Sequence, residues 1–67
     1  AIGRVHASSW ISAALRDEAG PAAYDLEIGG SPERTAVAAV CFAHGWRLLE
    51  WQPGESGVVA RVSPSTP

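Results

Sequence analysis

The feature that most constrains this fold is an apolar run, residues 36–43, with a helix start signal before it and a stop signal after it. Ser31 is a favourable N-cap because its hydroxyl accepts a hydrogen bond from a free N–H of the first turn. Pro32 then takes the first helical position, where its missing N–H costs nothing. Gly45 can adopt the left-handed conformation that ends a helix, and His44 suits the negative end of the helix dipole. The sequence therefore predicts a helix from Pro32 to His44.

The clearest strand signal, over residues 22–28, lies just before this helix. Tyr24, Leu26 and Ile28 are apolar and the two residues between them are acidic, which indicates a strand with one buried face. The other predicted elements are a strand over 2–7, a helix from Ser8 or Ser9 to about Ala19, a strand over 46–52, a turn over 53–57 and a strand over 58–62.

This succession, β-α-β-α-β-β, predicts an α+β domain. Both helices connect strands, and right-handed crossovers put them on one face of the same sheet. We therefore expect a two-layer α/β sandwich with a mixed four-stranded sheet. A chain of 67 residues has room for one domain with a thin core. Residues 1–62 are predicted to form it, and residues 63–67, rich in Pro, Ser and Thr, to form a flexible C-terminal tail.

Composition excludes several classes of function. The net charge is −2 and the five basic residues, all Arg, are spread along the chain, which is not the basic stripe of a nucleic-acid-binding protein. A single cysteine allows no internal disulfide. No apolar run approaches the roughly 20 residues that span a bilayer, and no signal peptide is visible. We expect a bacterial, cytoplasmic protein without a cofactor. Because the first residue is Ala1 and not Met, we also expect that the chain is processed or is a piece of a longer one.

The element order and the segment 31–41 resemble the TusA/SirA-like sulfur carriers, a family of small two-layer sandwiches. In that family a strand ends in an acidic-acidic-Pro motif that opens the second helix, and a cysteine often lies late in that helix. Here Gly29-Gly30-Ser31-Pro32 occupies the place of the motif, and Cys41 matches the helical cysteine. The resemblance covers nearly the whole chain and implies the same β-α-β-α-β-β fold.

The chain departs from this family at its sulfur-carrying motif. The family's reactive cysteine belongs to a Cys-Pro-x-Pro motif at the start of the first helix. The corresponding positions here, about His6-Ala7-Ser8-Ser9, contain neither Cys nor Pro. Because a persulfide requires a thiolate, a member of the family with these residues would have lost its activity at this position, and a sulfur-relay function would have to use Cys41.

Cys41 and His44 are three residues apart on one predicted helix face. That spacing suits two metal ligands, with His6 as a third, but the chain offers no fourth Cys or His and we predict no metal site. A nucleophilic thiol assisted by His44 is the other functional interpretation. The structural interpretation is a buried, apolar Cys41 and a His44 that ends the helix, and it is the more common arrangement. No catalytic motif is complete, and we do not expect an enzyme.

Three tryptophans in so small a chain suggest a contact surface. Trp10 is predicted to anchor the core, whereas Trp46 and Trp51 should point to opposite faces of their strand. The predicted binding patch lies on the uncovered sheet face and consists of Arg47, Leu49, Trp51, Val59 and Arg61. Exposed aromatic and Arg side chains are typical of protein interfaces. The sequence thus predicts a non-catalytic module that binds itself or a protein partner, with a sulfur carrier that uses Cys41 as the alternative.

Overall fold

The computed structural model describes residues 2–16 and 23–65. The elements are strand β1 (Ile2–His6), helix α1 (Trp10–Arg16), strand β2 (Ala23–Gly29), helix α2 (Arg34–Ala43), strand β3 (Trp46–Pro53) and strand β4 (Gly57–Pro64), with a 3-10 turn (Ala7–Ser9) before α1. This order confirms the predicted β-α-β-α-β-β succession. The predicted end of the first helix, at about Ala19, lies outside the described residues.

The four strands form one mixed sheet in the order β1-β2-β4-β3. β1 and β2 run parallel because α1 lies between them in the chain. β4 runs antiparallel to both of its neighbours, and a short turn joins it to β3. The predicted α+β fold with a mixed four-stranded sheet is therefore confirmed.

One face of the sheet is apolar and carries both helices. In the register of β2 and β4, Leu26 lies opposite Ala60 and Tyr24 opposite Val62, and all four side chains are buried. The same core cluster contains Trp10 from α1 and Cys41 from α2. Both helices therefore cover the same side of the sheet, as the crossover rule predicts.

Aromatic rings fill the space between the helices and the sheet. The ring centroid of Trp10 lies 5.2 Å from that of Trp46 and 5.7 Å from that of His44, both in edge-on contact. The ring centroid of Tyr24 lies 5.8 Å from that of Trp46, in a tilted arrangement. With 4% of its surface exposed, Trp10 anchors the core as predicted.

The start of α2 differs from the prediction. The helix begins at Arg34, and Glu33 is its N-cap in an extended conformation without a side-chain capping bond. Ser31 and Pro32 are therefore a linker and not the cap and first helical residue. The physical reason lies at Gly30, whose N–H donates to the Ser56 carbonyl oxygen. This bond keeps the chain at the end of the sheet, and residues 31–33 carry it across to the helical layer.

The end of α2 and the end of β4 are also defined by backbone contacts. Gly45 has a φ of 79° and donates its N–H to the Phe42 carbonyl oxygen, which confirms the predicted helix stop. β4 continues to Pro64, and the Ser65 N–H donates to the Gly45 carbonyl oxygen at 2.7 Å. The first residues of the predicted flexible tail, 63–65, are thus tied to the sheet. Residues 66 and 67 lie outside the described part of the chain.

Candidate functional site

A β-bulge in β3 decides which side chains reach the uncovered face. Leu48 lies opposite Val62, but the next paired residue is Glu50, opposite Arg61, so Leu49 is an extra residue in the strand. The alternation is shifted by one beyond this point. Trp51 consequently lies opposite Ala60 and packs against the core beneath the helices. The prediction that Trp46 and Trp51 point to opposite faces is therefore wrong, because strict alternation does not allow for the bulge.

The uncovered face carries a set of ion pairs instead of an aromatic patch. On β1 and β2, Arg4 Nε lies 3.2 Å from Glu27 Oε2. On β2, β4 and β3, Arg61 Nε lies 2.9 Å from Asp25 Oδ1, and Arg61 Nη1 lies 3.0 Å from Glu50 Oε2. Charges of opposite sign thus alternate across all four strands, and in these pairs two guanidinium groups face three carboxylates.

The ion pair between Arg61 and Asp25 is the best defined of these contacts. A second bond, from Arg61 Nη2 to Asp25 Oδ2 at 3.3 Å, makes the contact bidentate. The hydrogen bond from Arg61 holds the pKa of the Asp25 carboxyl below its ordinary value, and the positive charges of Arg61 and Arg4 act in the same direction. The same bond raises the pKa of Arg61.

The structure brings together only part of the predicted binding patch. Val59 and Arg61 are half-buried neighbours on the uncovered face of β4. Arg47 is exposed and lies opposite Ser63 in β4. Leu49 belongs to the bulge and is 47% exposed. Trp51 is separated from this group because it lies on the helical side of the sheet.

The predicted thiol site is also divided. The Cys41 side chain is completely buried, and this burial raises the pKa of its thiol. His44 is exposed, and its Nδ1 donates a hydrogen bond to the Val40 carbonyl oxygen at 2.9 Å. The His44 imidazole thus binds a backbone carbonyl group at the end of α2, whereas the Cys41 thiol is part of the core. Within residues 2–16 and 23–65, no three His, Cys, Asp or Glu side chains are arranged to hold a metal ion.

The outer face of α2 is an apolar surface that the sequence analysis did not identify. We call it the α2 face, and its residues are Ala36, Ala39, Val40, Phe42 and Ala43. All five are exposed, Val40 by 54% and Phe42 by 78%. From Ala36 to Ala43 the helix has no charged or hydroxyl-bearing side chain, so its solvent side is as apolar as its core side. Ala36, Ala39 and Ala43 therefore do not pack against the sheet.

A sequence signal for the α2 face existed. A helix at the surface of a globular domain normally shows polar residues on one side, and a helix that is apolar all round is normally buried. Eight consecutive residues without a polar side chain, on a helix covered by a single sheet, therefore indicate an unpartnered apolar side. Neither helix in the described ranges has the length and apolar character needed to cross a membrane.

Comparisons of the chain with protein-family models, with curated proteins and with solved structures find no match. The resemblance to the TusA/SirA-like carriers therefore stays a prediction, which rests on the order of the elements and on the segment 31–41.

Proposed function

We propose that this chain is a small non-catalytic interaction module that pairs with a second copy of itself through the α2 face. The observation that carries the proposal is the exposure of Val40 and Phe42 on a helix side without any charge. Burial of apolar surface contributes about 25 cal/mol per Å². Covering the α2 face therefore lowers the free energy of the protein. Covering the ion-paired sheet face would lower it much less.

A second copy suits the α2 face because the surface is complementary to itself. Its three alanines form a flat strip, and Val40 and Phe42 stand at the two sides of that strip. In an antiparallel pair about a twofold axis, Phe42 of each copy can lie over the alanines of the other. Small residues also allow two helix axes to approach to about 8 Å. Since the strip has no charged residue, a twofold axis brings no like charges together.

The size of the α2 face sets the expected strength of this contact. A helix of ten residues is about 15 Å long. A stable protein interface usually buries about 1,200–2,000 Å² in total, which one short helix from each copy does not reach alone. We therefore expect a weak dimer whose population depends on protein concentration.

The alternative function, a sulfur relay through Cys41, gains no support from this geometry. A carrier thiol must be reached by the donor and acceptor of its sulfur atom, and its thiolate must form readily. Cys41 has no exposed surface, and burial raises its pKa.

Sedimentation velocity over a hundredfold range of protein concentration tests the pairing. We expect a monomer–dimer equilibrium in the wild type and at least a tenfold weaker dimer in Phe42→Glu, because each copy would bury an unpaired carboxylate. Leu49→Glu is the matched control, since it adds the same charge at an exposed apolar residue on β3. A wild type that stays monomeric throughout contradicts the proposal. Equal weakening by Leu49→Glu would place the contact on β3.

A further inference from the structure

A groove lies at one end of the uncovered sheet face, apart from the α2 face. Its volume is about 420 Å³, within the range of about 300–1,000 Å³ that is typical of small-molecule sites. His6 and Glu27, at the carboxyl ends of the parallel strands β1 and β2, form one side. Gln52 and Ser56, from the end of β3 and the following turn, form the other. In open sheets, ligands bind preferentially at the carboxyl ends of parallel strands.

The floor of the groove contains two glycines that face each other across β2 and β4. Gly57 is required there, because a Cβ atom at this position would collide with the Ile28 carbonyl oxygen. Gly29 differs, since a Cβ atom would meet no atom within 4 Å and its φ is not positive. Neither packing nor backbone conformation therefore demands glycine at position 29. A side chain there would occupy the groove, and its absence leaves the space open.

The polar groups of the groove favour a positively charged ligand. Among the described residues that line the groove, Glu27 is the one carboxylate and none is an Arg. Glu27 Oε2 is held by Arg4 at 3.2 Å, whereas Oε1 lies 3.8 Å from His6 Nε2, beyond hydrogen-bond distance. Oε1 can therefore accept a hydrogen bond from a ligand. The Gln52 amide and the Ser56 hydroxyl supply further acceptors, and Val59 supplies an apolar wall.

We infer that this groove binds a small organic amine, with its ammonium group on Glu27 Oε1 and its apolar part against Val59. The inference does not depend on pairing through the α2 face, because the groove is built from other elements. The carboxylate disfavours an anion in the same place by electrostatic repulsion.

Titration of the ¹⁵N-labelled full chain with n-butylammonium, followed by amide chemical shifts, tests the inference. We expect saturable shifts at Gly29, Ser56 and Gly57 with a Kd in the millimolar range, as suits a ligand of about five heavy atoms. Butyrate and n-butanol have the same length without the positive charge, and we expect at least tenfold weaker binding of both. Butyrate binding of equal strength would overturn the ligand class.

Two variants and one control locate the ligand. Glu27→Gln removes the charge and Gly29→Leu fills the space, and each should weaken binding at least tenfold while the spectrum remains that of a folded protein. Glu55→Gln removes a charge from the same turn at a residue that does not line the groove, and binding should persist. Unchanged binding in Gly29→Leu, or shifts that never saturate, would overturn the site. Tighter binding of Nα-acetyl-lysine amide than of n-butylammonium would overturn the small-ligand assignment in favour of a protein lysine.

Discussion

Arg61 holds both carboxylate oxygens of Asp25, with Nε 2.9 Å from Oδ1 and Nη2 3.3 Å from Oδ2. The two residues are directly opposite each other in the register of β2 and β4. Since Arg61 also reaches Glu50 at 3.0 Å, one guanidinium connects three strands of the uncovered face. The Arg61 side chain is therefore held from both sides. If the carboxylate of Asp25 or of Glu50 is removed, the other one still pairs with Arg61.

The first prediction concerns the pH dependence of this contact. The pKa of Asp25 in the folded chain is lower than its ordinary value of 3.8, because Arg61 donates to the charged carboxylate. A carboxyl whose pKa is lowered by folding stabilises the folded chain at pH values above its pKa in the unfolded chain. This contribution is lost as the pH falls through its pKa in the folded chain. We expect Asp25→Asn to be slightly less stable than the wild type at pH 7, with the difference vanishing below pH 3.8. Urea unfolding across pH 2–7 measures this.

Glu55→Gln is the control for that series, since Glu55 is exposed in the turn before β4. It should match the wild type at every pH. A stability difference of Asp25→Asn that persists unchanged in acid would contradict the assigned ion pair.

The second prediction concerns the bulge in β3. Leu48 faces the core and Glu50 faces Arg61, so Leu49 is the extra residue between them. Deletion of one leucine restores strict alternation without moving Trp51 to the other face. We therefore expect the deletion variant to fold, with an unfolding free energy within about 1 kcal/mol of the wild type. Circular dichroism and urea unfolding measure this result.

Deletion of one valine from the pair Val58-Val59 is the matched control. β4 has regular alternation, so loss of one residue turns part of the strand to the wrong face. A domain of this size rarely has more than about 3–5 kcal/mol of stability, and we expect this variant to be unfolded. If the leucine deletion unfolds the chain as well, the assignment of Leu49 as the extra residue of β3 is contradicted.

The same bulge explains which parts of this fold are predictable from the sequence. Regular alternation in β2 and the stop at Gly45 are local patterns, and they predict the bounds of β2 and the end of α2 to within one residue. Nothing in the order Leu48-Leu49-Glu50 identifies an extra residue, because the bulge is defined by pairing with Arg61 on another strand. The late start of α2 has a similar cause, since Gly30 is held by Ser56 from a distant turn.

The predicted binding patch is divided for the same reason, whereas the α2 face can be located from the sequence. Strict alternation along β3 predicts that Trp51 lies on the uncovered face, and one inserted residue reverses that prediction. The α2 face needed no long-range information, because a fully apolar helix beside a single sheet must leave one side uncovered. Helix periodicity was therefore the more reliable guide to an exposed apolar surface.

The third prediction compares the two glycines that pair across β2 and β4. Gly57→Ala places a methyl group against the Ile28 backbone, which cannot move without disturbing the sheet. We expect a loss of about 1–3 kcal/mol, as in other overpacked sites. Gly29→Ala meets no atom within 4 Å and should change stability by less than about 0.5 kcal/mol. Thermal unfolding of both variants measures the contrast. Equal losses of stability in the two variants would contradict the close approach of Gly57 to the Ile28 backbone.

The last prediction concerns the thiol of Cys41. Because the side chain is buried, we expect alkylation by iodoacetamide to be slow in the native chain and fast in 6 M guanidinium chloride. Burial raises its pKa above the ordinary value of 9.0, so the protonated thiol contributes stability that is lost as the pH rises above 9.0. Cys41→Ala should lack this loss in alkali.

Cys41→Ser separates burial from reactivity. A serine of similar size should cost about 1–3 kcal/mol, because it buries a hydroxyl among apolar neighbours. Slow alkylation of the native chain together with a loss of stability in Cys41→Ser is the result that we expect for a cysteine in the core. Rapid, stoichiometric alkylation of the native chain would instead mean that α2 opens readily from the sheet, and the sulfur-relay alternative would then regain an accessible thiol.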